Sequence, residues 1–151
     1  MSSANDLTVV EHCQRATHHA HVGRALAATG EEQWAAVCFF YAAYHLVKAA
    51  LTSDSVFADP TRLSRLNPEL TPADQAVSRH KGRRQSANGR EWGVNELVAL
   101  LYPGFARAYE RLHQASIDVR YYGGLRATAA DLECSLKQIE DGYAAGLLAA
   151  A

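Results

Sequence analysis

The chain has 151 residues, of which 48% are hydrophobic and 21% charged, a composition that fits one globular domain and disfavours an intrinsically disordered chain. The net charge of −1 conceals a segregation along the chain. Residues 62–126 contain eleven basic and six acidic groups, whereas residues 1–61 and 127–151 each carry a net charge of −3. The positive charge is therefore concentrated in the middle of the chain.

The cysteines and the N-terminus indicate the cellular compartment. Three cysteines (Cys13, Cys38 and Cys134) stand far apart, each within an apolar helical pattern. Their odd number and wide spacing predict reduced, buried thiols in a cytoplasmic protein rather than a disulfide or zinc framework. The first residues, MSSANDLTVVEHCQR, lack a basic segment followed by an apolar one, so no secretion signal is predicted.

The first half of the chain predicts two long helices. The first covers residues 6–28, and the second runs from about residue 31 to residue 52. Thr29 and Glu32 precede and open the second helix at the spacing of a capping box. Residues 53–71 are rich in turn-forming side chains and are predicted as a loop with one short helical turn at most.

The second helix raises the main question about this protein. Residues 34–51 are apolar except for His45 and Lys48, a length close to that of a membrane span. Six alanines and the two polar residues make the transfer into lipid unfavourable, so the stretch is predicted as the central helix of a soluble bundle. Tyr41, His45 and Lys48 share one helix face by their spacing. The core-facing positions are Phe39, Ala42, Leu46 and Ala49.

The polar face of this helix has two interpretations. It is either a hydrogen-bonded network inside the bundle, which is the commoner case, or one wall of a functional site. The residues of the helix alone leave both open.

The second half of the chain predicts shorter elements and then two long helices. Thr71 begins a short helix, reaching about Arg79, with proline and an acidic residue in its first turn. Helices follow at 94–101 and 103–122, and the latter ends at a pair of glycines. Thr128 caps the last helix. Its apolar stripe consists of Leu132, Leu136, Ile139, Tyr143 and Leu147.

A basic segment lies between the two halves. The sequence RHKGRRQSANGR, residues 79–90, contains no acidic residue. It is interpreted either as a phosphate-binding surface for nucleic acid or as a solvated loop. Its cationic residues are Arg79, Lys81, Arg83, Arg84 and Arg90.

These elements predict an all-α protein with one domain, residues 1–151. Four helices of about 20 residues would each be about 30 Å long at the rise of an α-helix. An up-down bundle of four long helices, with one or two short extra helices, is the natural arrangement.

Three stretches resemble the HEPN superfamily, the higher eukaryote and prokaryote nucleotide-binding domains. They are WAAVCFFYAAYHLVKAAL (34–51), RHKG (79–82) and ASIDVRYYG (115–123). The resemblance implies a helical bundle that dimerises. It also implies the activity of many members, which are metal-independent ribonucleases of toxin–antitoxin or anti-phage systems. Their active site uses an arginine followed, after four to six residues, by a histidine, and the dimer interface brings two copies together.

The chain departs from that motif. Arg120 occupies the matching position, but YYGGLRATAAD follows it without a histidine. Arg15 with His21 and Arg107 with His113 have the required spacing, although chance alone yields about as many pairs in a chain with this composition. This departure places catalysis in doubt.

No metal site or cofactor is predicted. His12, His18 and His21 on the first helix have no further ligand at a suitable spacing. Glu110 and His113 form a Glu-x-x-His motif that occurs once, whereas di-iron bundles need it twice.

The predicted function is therefore that of a cytoplasmic, HEPN-like protein, without a membrane span, that forms a homodimer and binds or cleaves RNA in a toxin–antitoxin or phage-defence system. In the alternative, it is a non-catalytic HEPN-like module that recruits an antitoxin or another protein partner. Arginine would hold the phosphate and histidine would transfer a proton. The candidate catalytic residues are Tyr41, His45, His80, Arg120 and Tyr121. The candidate RNA-binding residues are Arg79, Lys81, Arg83 and Arg84.

Overall fold

A computed structural model describes residues 6–85 and 89–151. In this part of the chain six α-helices and one β-hairpin are found. The helices are α1 (Val9–Ala28), α2 (Glu32–Ser53), α3 (Pro60–Leu66), α4 (Val94–Leu101), α5 (Ala106–Tyr121) and α6 (Ala129–Ala144). The strands are β1 (Arg83–Gln85) and β2 (Gly89–Glu91). The predicted all-α class is confirmed, with four long and two short helices.

Helix α2 is the central member of this bundle. It packs against α1, α5 and α6, and α5 also packs against α6. The positions that the sequence assigns to the core are buried, and Phe39 and Phe40 are fully enclosed. Glu32–Ala58 is long and apolar enough to cross a membrane by length and composition, but 72% of its most apolar window is buried inside the protein. That burial is typical of a core helix.

Helices α5 and α6 complete the core on the far side of α2. Tyr109 and Leu112 of α5 are fully buried. The apolar stripe of α6 is confirmed for Leu132, Leu136 and Ile139, which are all fully buried. The prediction is wrong for Leu147, which is exposed. Helix α6 ends at Ala144, and a glycine turn follows, so the helical periodicity no longer controls where this side chain points.

The helix boundaries differ from the prediction at the start of α1 and at the junction between α1 and α2. Helix α1 starts at Val9 rather than residue 6, because Thr8 and Glu11 form a reciprocal capping box with two hydrogen bonds of 3.1 Å. The box predicted for Thr29 and Glu32 is absent. The Thr29 hydroxyl instead donates to the Leu26 carbonyl oxygen and closes the end of α1, and the N-cap of α2 has no side-chain hydrogen bond.

The connecting segments contain more short helix than predicted. Residues 53–71 include a 3₁₀ turn (Ser55–Ala58) and α3, and aspartates cap both of them. The helix predicted for 72–79 is a 3₁₀ turn that ends at Ala76. Helix α5 begins at Ala106, after a 3₁₀ turn over Pro103–Phe105, so the predicted start at 103 is three residues early.

The basic segment contains a hairpin rather than a simple loop. Arg83 pairs with Glu91, and Gln85 pairs with Gly89, in an antiparallel ladder. Strands of three residues are too short to show an alternating pattern, so the sequence does not reveal them. At the base of the hairpin the backbones of Gly82 and Gly93 pack directly against each other. A Cβ atom at either position would overlap atoms of the facing segment of the same chain.

The prediction of three buried cysteines is wrong. Cys134 is exposed, and Cys13 and Cys38 are half-buried. The Cys13 sulfur lies 3.2 Å from the Tyr143 hydroxyl, between α1 and α6. Small apolar neighbours in the sequence therefore do not ensure that a thiol in a helix faces the core.

Candidate functional site

The polar face of α2 lies between α1, α5 and the segment that precedes the hairpin. Tyr41 is half-buried, whereas His45 and Lys48 are 8% and 6% exposed. The Lys48 ammonium group donates to the Val77 carbonyl oxygen. The neighbouring hydroxyl of Tyr44 donates to the Ser78 carbonyl oxygen at 3.1 Å. This face is therefore covered and hydrogen-bonded.

Arg120 approaches the same face from the last turn of α5. Its Nη1 donates to the Tyr41 hydroxyl at 3.1 Å, and its Nε donates to the Ser116 carbonyl oxygen at 3.2 Å. The guanidinium carbon lies 5.3 Å from the centre of the Tyr121 ring and 5.8 Å from that of Tyr41. These contacts fix the orientation of the guanidinium group and satisfy only some of its five N–H donors.

Two histidines pair beside Arg120. The ring centroids of His80 and His113 are 4.9 Å apart, and both rings pack against Phe40. Nδ1 of His113 lies 2.8 Å from the side-chain nitrogen of Asn95, which orients the imidazole. Nδ1 of His80 is buried and has no hydrogen-bond partner among the described residues.

The surroundings hold both imidazoles in the neutral form. The pKa of His113 is lowered to about 4, mainly by burial and in smaller part by the charges of His80, Lys81 and Arg120. The pKa of His80 is also lowered, by burial first and then by Arg120. Arg120 acts electrostatically on both rings. Because such an effect requires proximity, Arg120 lies close to the histidine pair.

A cleft of about 780 Å³ opens beside this pair, between α4, α5 and the residues that precede β1. Its volume is typical of ligand-binding clefts. Asn95 and His113 line it, together with cations from α5 and from the basic segment. These cations are Lys81, Arg107 and Arg111. Two glutamates also line the cleft, and one of them, Glu96, accepts a hydrogen bond from the Gly82 amide at 2.6 Å.

The structure groups some of the predicted catalytic residues and separates others. Tyr41, His80 and Arg120 lie together, and Tyr121 flanks them on the surface. His45 belongs to a different group, because the Tyr44 ring lies between it and His80, with its centroid 5.3 Å from each.

Part of this site was not predicted from the sequence motifs. His113 is part of two sequence motifs, one with Arg107 and one with Glu110, and neither motif predicts its position in this site. Asn95 is part of no motif. The useful signal was the spacing between His113 and Arg120, because residues seven apart share one face of a helix. This order is the reverse of the HEPN motif, in which the arginine comes first.

The predicted RNA-binding residues have different environments. Arg79 is engaged, since its Nη1 donates to the Trp92 carbonyl oxygen at 3.1 Å and lies 4.0 Å from the Glu91 carboxylate. Lys81 and Arg83 are exposed. The side chain of Arg84, like that of Arg90, lies outside the described residues.

Comparison of the chain with protein-family models, with curated proteins and with solved structures found no match. The HEPN resemblance therefore stays a prediction from the sequence motifs. In the described part of the chain, no three histidine, cysteine, aspartate or glutamate side chains come together as metal ligands.

Proposed function

We propose that this protein is an HEPN-like RNA-binding protein that cleaves RNA without a metal ion, at the site formed by His80, His113 and Arg120. The observation that supports it best is the arginine held by Tyr41 beside two paired, neutral imidazoles. Arginine recognises phosphate through several hydrogen bonds, and paired histidines provide a proton acceptor and a proton donor.

The chemistry of this site needs only these groups. One imidazole removes the proton of the ribose 2′-hydroxyl while the 2′-oxygen attacks phosphorus. The other imidazole, in its protonated form, gives a proton to the 5′-oxygen as the bond between that oxygen and phosphorus breaks. Arg120 stabilises the negative charge that develops on the phosphoryl oxygens. The products are a 2′,3′-cyclic phosphate end and a 5′-hydroxyl end.

The lowered pKa values fit this mechanism once a phosphate is bound. Without a ligand, burial and the charges of Arg120 and Lys81 disfavour the protonated form of both rings. A phosphate between these groups supplies the missing negative charge, which favours protonation of one histidine. The direct test is cleavage of total RNA in the presence of EDTA, with analysis of the new ends. RNA that stays intact under these conditions would contradict the proposed activity.

The basic segment is proposed to strengthen RNA binding through exposed charges. We expect Lys81→Gln combined with Arg83→Gln to reduce the salt dependence of RNA affinity by about two units of slope, one for each phosphate that is no longer neutralised. The measurement is the affinity for an RNA oligonucleotide over a series of salt concentrations. Arg79 is left unchanged because it holds the base of the hairpin.

Arg65 provides the matched control for this experiment. It is an exposed arginine on α3, outside the candidate site, and Arg65→Gln should leave the slope nearly unchanged. An unchanged slope in the Lys81 and Arg83 double variant would show that the segment is solvated and does not bind phosphate.

Three exposed aromatic side chains, at the start of α2 and the end of α5, are proposed to form one contact patch that would serve either the homodimer or the alternative function. Trp34, Tyr121 and Tyr122 are 55%, 70% and 72% exposed. The two tyrosines adjoin Gly124, which packs near Gln33 at the start of α2. Exposed aromatic clusters are typical of protein interfaces. A dimer through this patch would bring two Arg120 residues close together. A non-catalytic module would use the same patch to bind an antitoxin or another protein.

We expect the protein to be a dimer at micromolar concentration, as measured by light scattering. Trp34→Ser combined with Tyr122→Ser should produce a monomer with unchanged helical circular dichroism, because both side chains are exposed. Val10→Ser removes another exposed apolar side chain, on α1, and should leave the dimer intact. A monomeric wild-type protein would contradict the proposed assembly.

A further inference from the structure

A second cleft, of about 870 Å³, lies on the other side of Tyr44. It is formed by the start of α1, the polar face of α2 and residues 72–78. Its walls include His12, His45 and Lys48. None of these three side chains has a part in the RNA cleavage proposed above, although each is more than nine-tenths buried.

The two histidines of this cleft share a proton. Nδ1 of His12 lies 3.0 Å from Nδ1 of His45, so one of these atoms carries a hydrogen and the other accepts it. When both rings are neutral, the ring that donates through Nδ1 has an unprotonated Nε2. The other ring has a protonated Nε2. The pair therefore combines one acceptor with one donor, and one additional proton, on the free Nε2, would turn both Nε2 atoms into donors.

Two cations act on this pair. Lys48 on α2 and Arg15 on α1 affect both imidazoles. The His19 ring stacks on the His45 ring, with the two centroids 5.6 Å apart. Lys48 uses one N–H to reach the Val77 carbonyl oxygen, and an ammonium group has two more.

Two carboxylates lie near the second cleft. Glu11 on α1 accepts a hydrogen bond from the Thr8 amide and has the weakest effect of the neighbours on His12. Asp6, before α1, lines the cleft and acts on Lys48. Among the residues that the structure describes, no acidic side chain contributes to the electrostatic effects on His45. An anion in the cleft would therefore meet a mainly positive field at the histidine pair.

We propose that the second cleft binds a phosphate group, held by Lys48 and by the His12–His45 pair, and that binding is coupled to the uptake of one proton by the pair. The phosphate belongs either to an RNA strand that also occupies the Arg120 site or to a free nucleotide. The two sites are close enough for one strand, because the centroid of the Tyr44 ring lies 5.3 Å from the rings of both His45 and His80.

Inorganic phosphate tests this proposal without any cleavage reaction. We expect it to raise the pKa of His45 from about 4 by at least about one unit, which corresponds to a tenfold preference of phosphate for the protonated pair. The measurement is NMR of the imidazole groups in the full chain, at constant ionic strength, with chloride as the reference anion. His18 and His21 are exposed on α1 and provide internal controls.

Variants separate this site from the one proposed for RNA cleavage. Arg15→Gln, at an exposed position that does not threaten folding, should reduce the effect of phosphate on His45, and Lys48→Met should abolish it. Arg120→Ala should leave it intact, even if the protein cleaves no RNA. An unchanged pKa of His45 in phosphate would overturn the proposal, as would an equal shift at His18 and His21.

The source of the phosphate follows from two further titrations. A nucleoside 5′-monophosphate and a ten-nucleotide RNA would each raise the pKa of His45 if the cleft accepts their phosphates. An RNA strand that acts at a much lower concentration than the mononucleotide would identify the strand as the ligand. Equal potency would identify a free nucleotide. If neither changes the pKa of His45, the proposal fails even if inorganic phosphate binds.

Discussion

Arg120→Ala is expected to reduce metal-independent RNA cleavage by about 10²–10³-fold, the usual effect of removing a group that stabilises charge in the transition state. The free energy of unfolding should fall by roughly 1–2 kcal/mol, because the variant loses the hydrogen bonds of Arg120 to the Tyr41 hydroxyl and to the Ser116 carbonyl oxygen, each worth about 1 kcal/mol. Arg120→Lys should restore activity only in part, because an ammonium group cannot make the paired hydrogen bonds of a guanidinium group. The measurement is the initial rate of cleavage of an RNA oligonucleotide in EDTA.

Histidine variants identify the proton carriers in the same assay. His80→Gln and His113→Gln should each lower the rate by about 10²–10⁴-fold, the range for general acid–base groups. His45→Gln should leave kcat nearly unchanged, because Tyr44 separates His45 from the site. Arg65→Ala is the control for removal of an arginine elsewhere. Full activity of Arg120→Ala would show that the reaction occurs at another site or belongs to a contaminant.

The protein is also expected to lose stability on acidification between pH 6.5 and pH 4. Burial is the main cause that lowers the pKa of both His45 and His113 to about 4 in the folded protein, from an ordinary value of 6.5. In this range the unfolded chain binds protons that the folded chain does not, so the free energy of unfolding falls as the pH falls. Well above pH 6.5 the two histidines are neutral in both states and contribute no pH dependence.

The effect is expected to be large for a small domain. The two shifts together correspond to a loss of roughly 3 kcal/mol, after a reduction by about half for the water that reaches the two clefts. Domains of this size are stable by about 5–15 kcal/mol. Urea unfolding at pH 7 and at pH 4.5 measures the difference.

Exposed histidines provide the control for this measurement. His18→Gln and His21→Gln alter side chains on the surface of α1, and the loss of stability on acidification should be the same in both variants. A wild-type protein that is equally stable at pH 7 and pH 4.5 would contradict the neutral, buried state of His45 and His113.

The histidines in these predictions differ in how clearly the sequence marks them. His45 stood out because it interrupts an apolar helix, and its burial follows from that position. His113 lies in a helix with many polar residues, where one more polar side chain attracts no attention. Only the packing of α5 against α2 shows that this position faces Phe40 and His80.

Local sequence determined the helices of this protein. The apolar periodicity of α2, α5 and α6 and the cap at Thr128 act within a few residues along the chain, and such signals can be recognised without a structure. The central position of α2 also followed from its composition, because a helix that is apolar on nearly every side is buried.

Tertiary structure decided which polar side chains meet. Arg120 and Tyr41 are 79 positions apart in the chain, and His12 and His45 are 33 apart. No periodic pattern in the sequence connects residues that are so far apart. Each pairing therefore depends on how the helices pack against one another. The hairpin beside the site depends on the close approach of Gly82 and Gly93. The sequence by itself therefore determined the helices and the polar face of α2, while the separation of two histidine pairs by Tyr44 results from contacts between distant elements.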